Sequence, residues 1–179
     1  MAEGRYAMIK KKLFFVDAET DGLYGAFLSI AVIVTDYEGN ELERYYWGID
    51  PERLEVKSEW VKKNVLPIMG TYKICQDEDE LLENFWQVWE KYKRDAYAIA
   101  DVGFPVETAL FRQCVLRDIE KRQMDGPFPL IDLSNILLAN GINPLIDRME
   151  LAEKKEKPMH NALTDVEISI GIWRKIWQK

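Results

Sequence analysis

Two short segments at opposite ends of the chain carry the residues best suited to chemistry. Near the N-terminus an apolar run, Leu13-Phe14-Phe15-Val16, delivers Asp17-Ala18-Glu19-Thr20-Asp21-Gly22. Near the other end, His160, the only histidine, stands five residues before Asp165. Side chains alternate on a strand, so Asp17 and Glu19 share one face, their Cα atoms ~6.6 Å apart at a rise of ~3.3 Å per residue. Two carboxylates so placed suit hard divalent cations, which take oxygen ligands. Asp165 falls in the first turn of a late helix, where the helix dipole favours a negative charge. Asp101 closes a short mid-chain strand, a position from which α/β sheets commonly present functional side chains. Four carboxylates converging without cations would repel one another strongly. With two cations ~3.5–4 Å apart they make a phosphoryl-transfer site, one ion activating a water and the other stabilising the leaving 3′ oxygen. His160 suits removal of a proton from that water, because histidine exchanges protons nearest neutral pH.

Asp17-x-Glu19-Thr20-x-Gly22, the mid-chain Asp101 and His160-x4-Asp165 together resemble the DEDDh branch of the 3′–5′ exonucleases. This DnaQ-like group includes polymerase proofreading domains, RNase T and oligoribonuclease, and has the ribonuclease-H-like fold. The resemblance in element order runs from residue 12 to residue 177. It implies that Asp17, Glu19, Asp101 and Asp165 ligate two Mg²⁺ or Mn²⁺ ions and that His160 is the general base. It also implies that Thr20, Gly22 and Leu23 meet the 3′-terminal nucleotide, with Leu23 and Tyr24 wedged against its base as single strands commonly stack. An exposed loop aromatic is the other reading of Tyr24. The implied substrate is single-stranded DNA or short RNA with a free 3′ end, released as nucleoside monophosphates. Many members of that family dimerise, so a homodimer is one expectation.

The second motif departs from the family's usual form, in which an Asn near the strand end is followed four residues later by an Asp, commonly after an aromatic. Aligning Phe104 with that aromatic puts Pro105 at the Asp position and Asp101 at the Asn position. Either Asp101 supplies the ligand from the strand end, or Glu107 reaches back from the first helical turn. Asp101 is preferred, since Glu107 lies two residues beyond the expected place.

The elements that must position these residues are legible in outline. Residues 12 to 17 read as a buried strand. Leu28, Ile30, Val32 and Val34 alternate with Ala31 and Ile33 on a second strand, and Asp36 to Asn40 form a hairpin turn into a third, Leu42 to Ile49. An antiparallel meander of three strands results. Ser58 is placed to cap a short helix ending before Pro67. Asp77 starts a longer helix in which Leu81, Leu82, Phe85, Val88, Trp89 and Tyr92 recur at helical spacing. Tyr97 to Ala100 form a strand, Pro105 sits at the first turn of a helix from Val106 to Arg122, and Phe128 to Ile131 form a last strand. A short helix from Ser134 to Ala139 ends at Gly141. Residues 142 to 159 read as a loop or ragged helix, and the final helix starts at Thr164 with Val166, Ile170, Trp173 and Trp177 in one stripe. The fold expected is an α/β, ribonuclease-H-like mixed five-stranded sheet with helices on both faces. Trp86, Trp89, Trp173 and Trp177, all at helical spacing, are expected in the core.

Composition bounds the rest. The 179 residues suit a single domain, 1–179, with 47% hydrophobic and 31% charged residues. No stretch approaches the ~20 apolar residues needed to span a bilayer, and the N-terminal residues have no signal-type apolar core. Cys75 and Cys114 lack metal-type spacing and read as buried free thiols, which fits a cytoplasmic location. The net charge of −7 argues against avid non-specific nucleic-acid binding. It does not argue against a nuclease, because bound cations cancel ligand carboxylates. Strand-gripping cations must be local: Lys10 to Lys12, Lys62-Lys63, Lys154-Lys155-Lys157, and Arg174-Lys175 with Lys179 are candidates, each also readable as a solvated face. Two other readings stand beside the exonuclease: a catalytically silent nucleic-acid- or protein-binding module on the same fold, and an endonuclease of ribonuclease H type, against which both motifs speak.

Overall fold

The computed structural model describes residues 10–153 and 160–177. Its centre is an antiparallel meander of β1 (Lys12–Thr20), β2 (Phe27–Asp36) and β3 (Glu41–Ile49). Both faces of β1 and β2 are covered, which explains their near-continuous apolar sequence. Helix α1 (Glu59–Asn64) is capped by Ser58, whose Oγ accepts from the Val61 N–H. After it, β4 (Lys73–Cys75) pairs in parallel with β3 at one edge. Helix α2 (Glu78–Tyr92) starts at the Asp77 cap, and β5 (Ala96–Ala100) then lies parallel to β1 on the meander's other side. Helix α3 (Val106–Arg117), α4 (Ile119–Arg122), β6 (Leu130–Asp132) and α5 (Leu133–Ala139) follow. Helices α6 (Arg148–Leu151) and α7 (Ala162–Trp177) complete the order. The strands run β4-β3-β2-β1-β5-β6.

The alternation of side chains along β1 and β2 divides the core in two. Phe14, Val16, Ile30, Val32 and Val34 pack with Leu82, Phe85, Trp86 and Trp89 of α2 and Leu110, Phe111 and Cys114 of α3. On the opposite face Leu13, Phe15, Ala31 and Ile33 pack with Leu133 and Leu137 of α5 and Val166, Ile170 and Trp173 of α7. Each fully buried large side chain contributes ~1.5–3 kcal/mol. Asp17 and Glu19 continue the second row, so the strand's own period aims them toward the face that α7 covers. Cys75 and Cys114 are buried free thiols.

Four details differ from the sequence reading. The sheet has six strands rather than five, because β4 is three residues long and too short to show a period. The helix expected to reach Arg122 breaks at Asp118, whose φ of −147° and ψ of 68° are not helical. Helix α7 begins at Ala162, two residues before Thr164, since Asn161 Oδ1 caps it by accepting the Thr164 N–H at 3.0 Å. Trp177 leaves the core: it is 52% exposed and stacks on Trp173 at 5.9 Å, whereas Trp86, Trp89 and Trp173 are buried. No helix among the described residues is long and apolar enough to cross a membrane.

Candidate active site

A cleft of about 540 Å³ opens where β1 outruns its parallel neighbour. The β1–β5 pairing extends only from Lys12–Ala96 to Phe15–Ile99, while β1 continues to Thr20. Beyond that point one edge of β1 is open, and the walls are built by side chains from elsewhere. Asp17 and Glu19 stand on the strand, and Asp165 meets them from the first turn of α7. The three carboxylates each offer an oxygen within 4.8 Å of the others. Asp101, Glu107 and His160 line the same cleft.

The start of α7 is held tightly. Asn161 is buried, and its Nδ2 donates to the carbonyls of Ile68 (2.7 Å) and Met69 (2.8 Å). The His160 backbone N–H donates to Asp165 Oδ2 at 3.1 Å, and the Asp165 N–H donates to the Asn161 carbonyl at 2.9 Å. His160 has φ of 68°, an uncommon conformation outside glycine in which His, Asn and Asp are over-represented. Its ring meets Trp60 edge-on with centroids 5.0 Å apart. Trp60, 54% exposed, stands on the cleft wall and had no signal in the sequence beyond membership of a short helix.

The first motif folds into a tight turn. Gly22 adopts φ of 74°, and Thr20 Oγ1 donates to the Gly22 carbonyl at 2.7 Å, so both line the cleft with Leu23. Tyr24, 82% exposed, is not part of the cleft wall. Asp21 ties the turn to α1: its carboxylate accepts the N–H groups of Lys57 (2.7 Å) and Ser58 (2.9 Å). Those bonds hold its carboxyl below the usual range. Through them the turn and the helix carrying Trp60 are positioned together.

The electrostatics of the cleft are those of crowded acids. Burial, then the Asp165 charge, raises Glu19 from 4.5 to about 7. Burial lifts Asp165 from 3.8 to about 6, against the opposing pull of the His160 backbone bond. Asp17 is pushed well above 3.8, first by burial and then by the charges of Glu107, Asp165, Glu19 and Asp101 in that order. Glu107 rises to about 7, mainly through burial. Asp101 is also raised by burial, but Arg148 opposes the shift with a hydrogen bond and its charge. Removal from water and mutual repulsion both disfavour the ionised forms, and divalent ions reverse both effects.

The basic segments singled out in the sequence are largely engaged within the protein. Lys10 Nζ donates to the Lys93 and Ala96 carbonyls, Lys12 pairs with Asp95, and Lys62 pairs with Glu59. Arg174 binds the Gly39 carbonyl, and Lys175 pairs with Glu153. Lys154, Lys155, Lys157 and Lys179 lie outside the described residues.

Mixed sheet, meander and helices on both faces are those of the ribonuclease-H-like fold, with a carboxylate cluster at the end of its central strand. Solved structures of exonuclease I have the same fold. A zinc-ion form of the E. coli exonuclease I complex with single-stranded DNA superposes with a TM-score of 0.66 and 17% identity, over 95% of this chain and 41% of that one. E. coli exonuclease I with a dT13 oligonucleotide gives 0.65 and 16%, over 93% and 41%. Exonuclease I from Methylocaldum szegediense gives 0.58 and 18%, over 94% and 40%. The chain thus spans about two fifths of the length of these proteins. No protein-family model matches the chain, and no curated relative matches it.

Proposed function

We propose that this chain is a metal-dependent 3′–5′ exonuclease acting on single-stranded DNA or short RNA. The observation that carries the reading is the convergence of Asp17, Glu19 and Asp165 within 4.8 Å, beside a histidine whose backbone is tied to one of them. An all-oxygen, half-buried set of acids fits Mg²⁺ or Mn²⁺ better than softer metals. When bound, two such ions would supply positive charge to the attacking and leaving oxygens of an in-line displacement. Asp17, Glu19 and Asp165 would hold them.

The chain's own groups account for the remaining steps. The Thr20–Gly22 turn, Leu23 and Trp60 bound a slot in which the 3′-terminal nucleotide is gripped, with a base stacking on the exposed indole. His160 accepts a proton from the water whose oxygen attacks phosphorus; the bond to the leaving 3′ oxygen breaks, that oxygen takes a proton from solvent to become the new 3′-hydroxyl, and a nucleoside monophosphate departs. The exonuclease I structures bound to single-stranded or dT13 DNA support this choice of substrate. A cytoplasmic location remains part of the proposal on the strength of the two free thiols, and a homodimer on that of the sequence resemblance.

The test is degradation of 5′-labelled DNA and RNA oligonucleotides with Mg²⁺ or Mn²⁺. A ladder shortening from the 3′ end is expected, lost on chelation and in Asp17→Ala and His160→Ala. Absence of any cleavage refutes the reading and leaves a binding module on this fold, and full activity in both variants refutes the roles given to Asp17 and His160.

A further inference from the structure

We infer, resting on the metal-dependent reading above, that Glu107 rather than Asp101 is the fourth carboxylate facing the divalent ions, and that Asp101 instead holds Arg148. The two acids differ in what already occupies them. Arg148 Nε donates to both Asp101 oxygens, at 2.7 and 3.0 Å. The same guanidinium donates through Nη2 to Ser134 Oγ (2.7 Å) and through Nη1 to the Ile146 carbonyl (2.9 Å). Its side chain is 14% exposed, and these bonds fix its positive charge in place. A divalent ion placed on Asp101 would sit against that charge. The pair anchors the segment around α6 to the sheet end, with the Ser134 N–H and Oγ closing on the Asp101 carbonyl, each at 3.1 Å.

Glu107 has the opposite situation. It is 5% exposed, it lines the cleft, and no Lys, Arg or His pairs with it among the described residues. A carboxylate withdrawn from water without a cation is costly to ionise, and an ion in the cleft is the partner it lacks. Its hydrogen-bond partners there are backbone groups, including the N–H of Ala18, the residue between Asp17 and Glu19. Glu107 therefore reaches the open edge of β1 from α3, on the face opposite α7, where β5 has stopped pairing. The first turn of α3 is wide: both the N–H and Oγ1 of Thr108 donate to the carbonyl of Gly103, five residues back. The two-residue offset that disfavours Glu107 on the sequence presumes a regular turn at this place.

Calorimetric titration of the full chain with MnCl₂ tests the assignment. Wild type is expected to take up two ions. Glu107→Gln should lose one of them, or weaken it beyond the ~10–100-fold typical of losing a ligand's hydrogen-bond partner. Asp101→Asn should keep both within a few-fold. Metal-free melting gives a second readout of opposite sign: Glu107→Gln relieves repulsion and raises the melting temperature, while Asp101→Asn strands a buried guanidinium and lowers it. Should either variant fail to fold by circular dichroism, Glu107→Asp or Arg148→Gln replaces it, with weakened and retained uptake expected respectively. Wild-type uptake with Glu107→Gln unchanged, or with one ion lost only in Asp101→Asn, overturns the assignment and leaves the nuclease reading standing. No uptake by wild type overturns that reading itself and the assignment with it.

Discussion

Replacing Glu19 by Gln should stabilise the metal-free protein at alkaline pH while abolishing the metal-dependent activity proposed for it. In the folded chain this carboxyl is raised from 4.5 to about 7 by burial and by Asp165. Asp17, Glu107 and His160 also line its surroundings, and no cation pairs with it among the described residues. Because the folded-state value exceeds the unfolded one, the folded protein binds this proton more tightly. The resulting stability is complete below pH 4.5 and is lost as pH rises through 7. At ~1.4 kcal/mol per pH unit, an ionised Glu19 costs about 3 kcal/mol at pH 8. A neutral Gln avoids that cost but must place its amide, which takes back about 1 kcal/mol. The net gain of about 2 kcal/mol corresponds to a melting temperature ~4–8 °C higher for a domain of this size. At pH 4.5 the wild-type acid is already protonated, and the two proteins should differ by no more than about 1 kcal/mol. Differential scanning calorimetry in EDTA at both pH values measures this directly. Saturating Mn²⁺ should then raise the wild type by about 2.7 kcal/mol at 100 times its dissociation constant and erase the variant's advantage. A Glu19→Gln protein that melts at or below wild type at pH 8, or that differs equally at both pH values, refutes the argument.

Two further outcomes follow from the contacts around the cleft. Asp21→Ala removes the acceptor of the Lys57 and Ser58 N–H groups and should cost about 1–2 kcal/mol in urea denaturation, with faster amide exchange at both positions. Since those bonds lower the Asp21 carboxyl, its contribution is present at neutral pH and fades as pH falls into the acid range. Trp60→Ala removes the edge contact with His160 and should lower kcat/KM on oligonucleotides about tenfold while costing only ~0.5–1.5 kcal/mol of stability, with Trp60→Phe retaining most activity. Equal kcat/KM in Trp60→Ala and wild type would remove the indole from the nucleotide slot.

What the sequence by itself determined is what local periodicity and local chemistry can encode. The apolar run Leu13 to Val16 specifies a buried strand, and the two-residue period of a strand gives Asp17 and Glu19 their shared face. Helical spacing in α2 and α7, with the Ser58 and Asp77 caps, specifies those helices, and the five residues from His160 to Asp165 place a histidine just ahead of an acid in a first turn. Short or irregular features escape such reading: β4 has three residues, Asn161 at the cap of α7 is anchored by the carbonyls of Ile68 and Met69 far away in sequence, and Trp60 meets His160 only across the cleft. The proposal for the second-motif carboxylate rests on tertiary contacts alone. Asp101 looks free at a strand end until Arg148, forty-seven residues on, closes over both its oxygens. Glu107 looks misplaced until β5 stops short of β1, the first turn of α3 widens, and the acid meets the open strand edge from the opposite face. A carboxylate's fitness for a cation depends on whether another charge already neutralises it, and that is a property of packing between distant segments rather than of spacing along the chain.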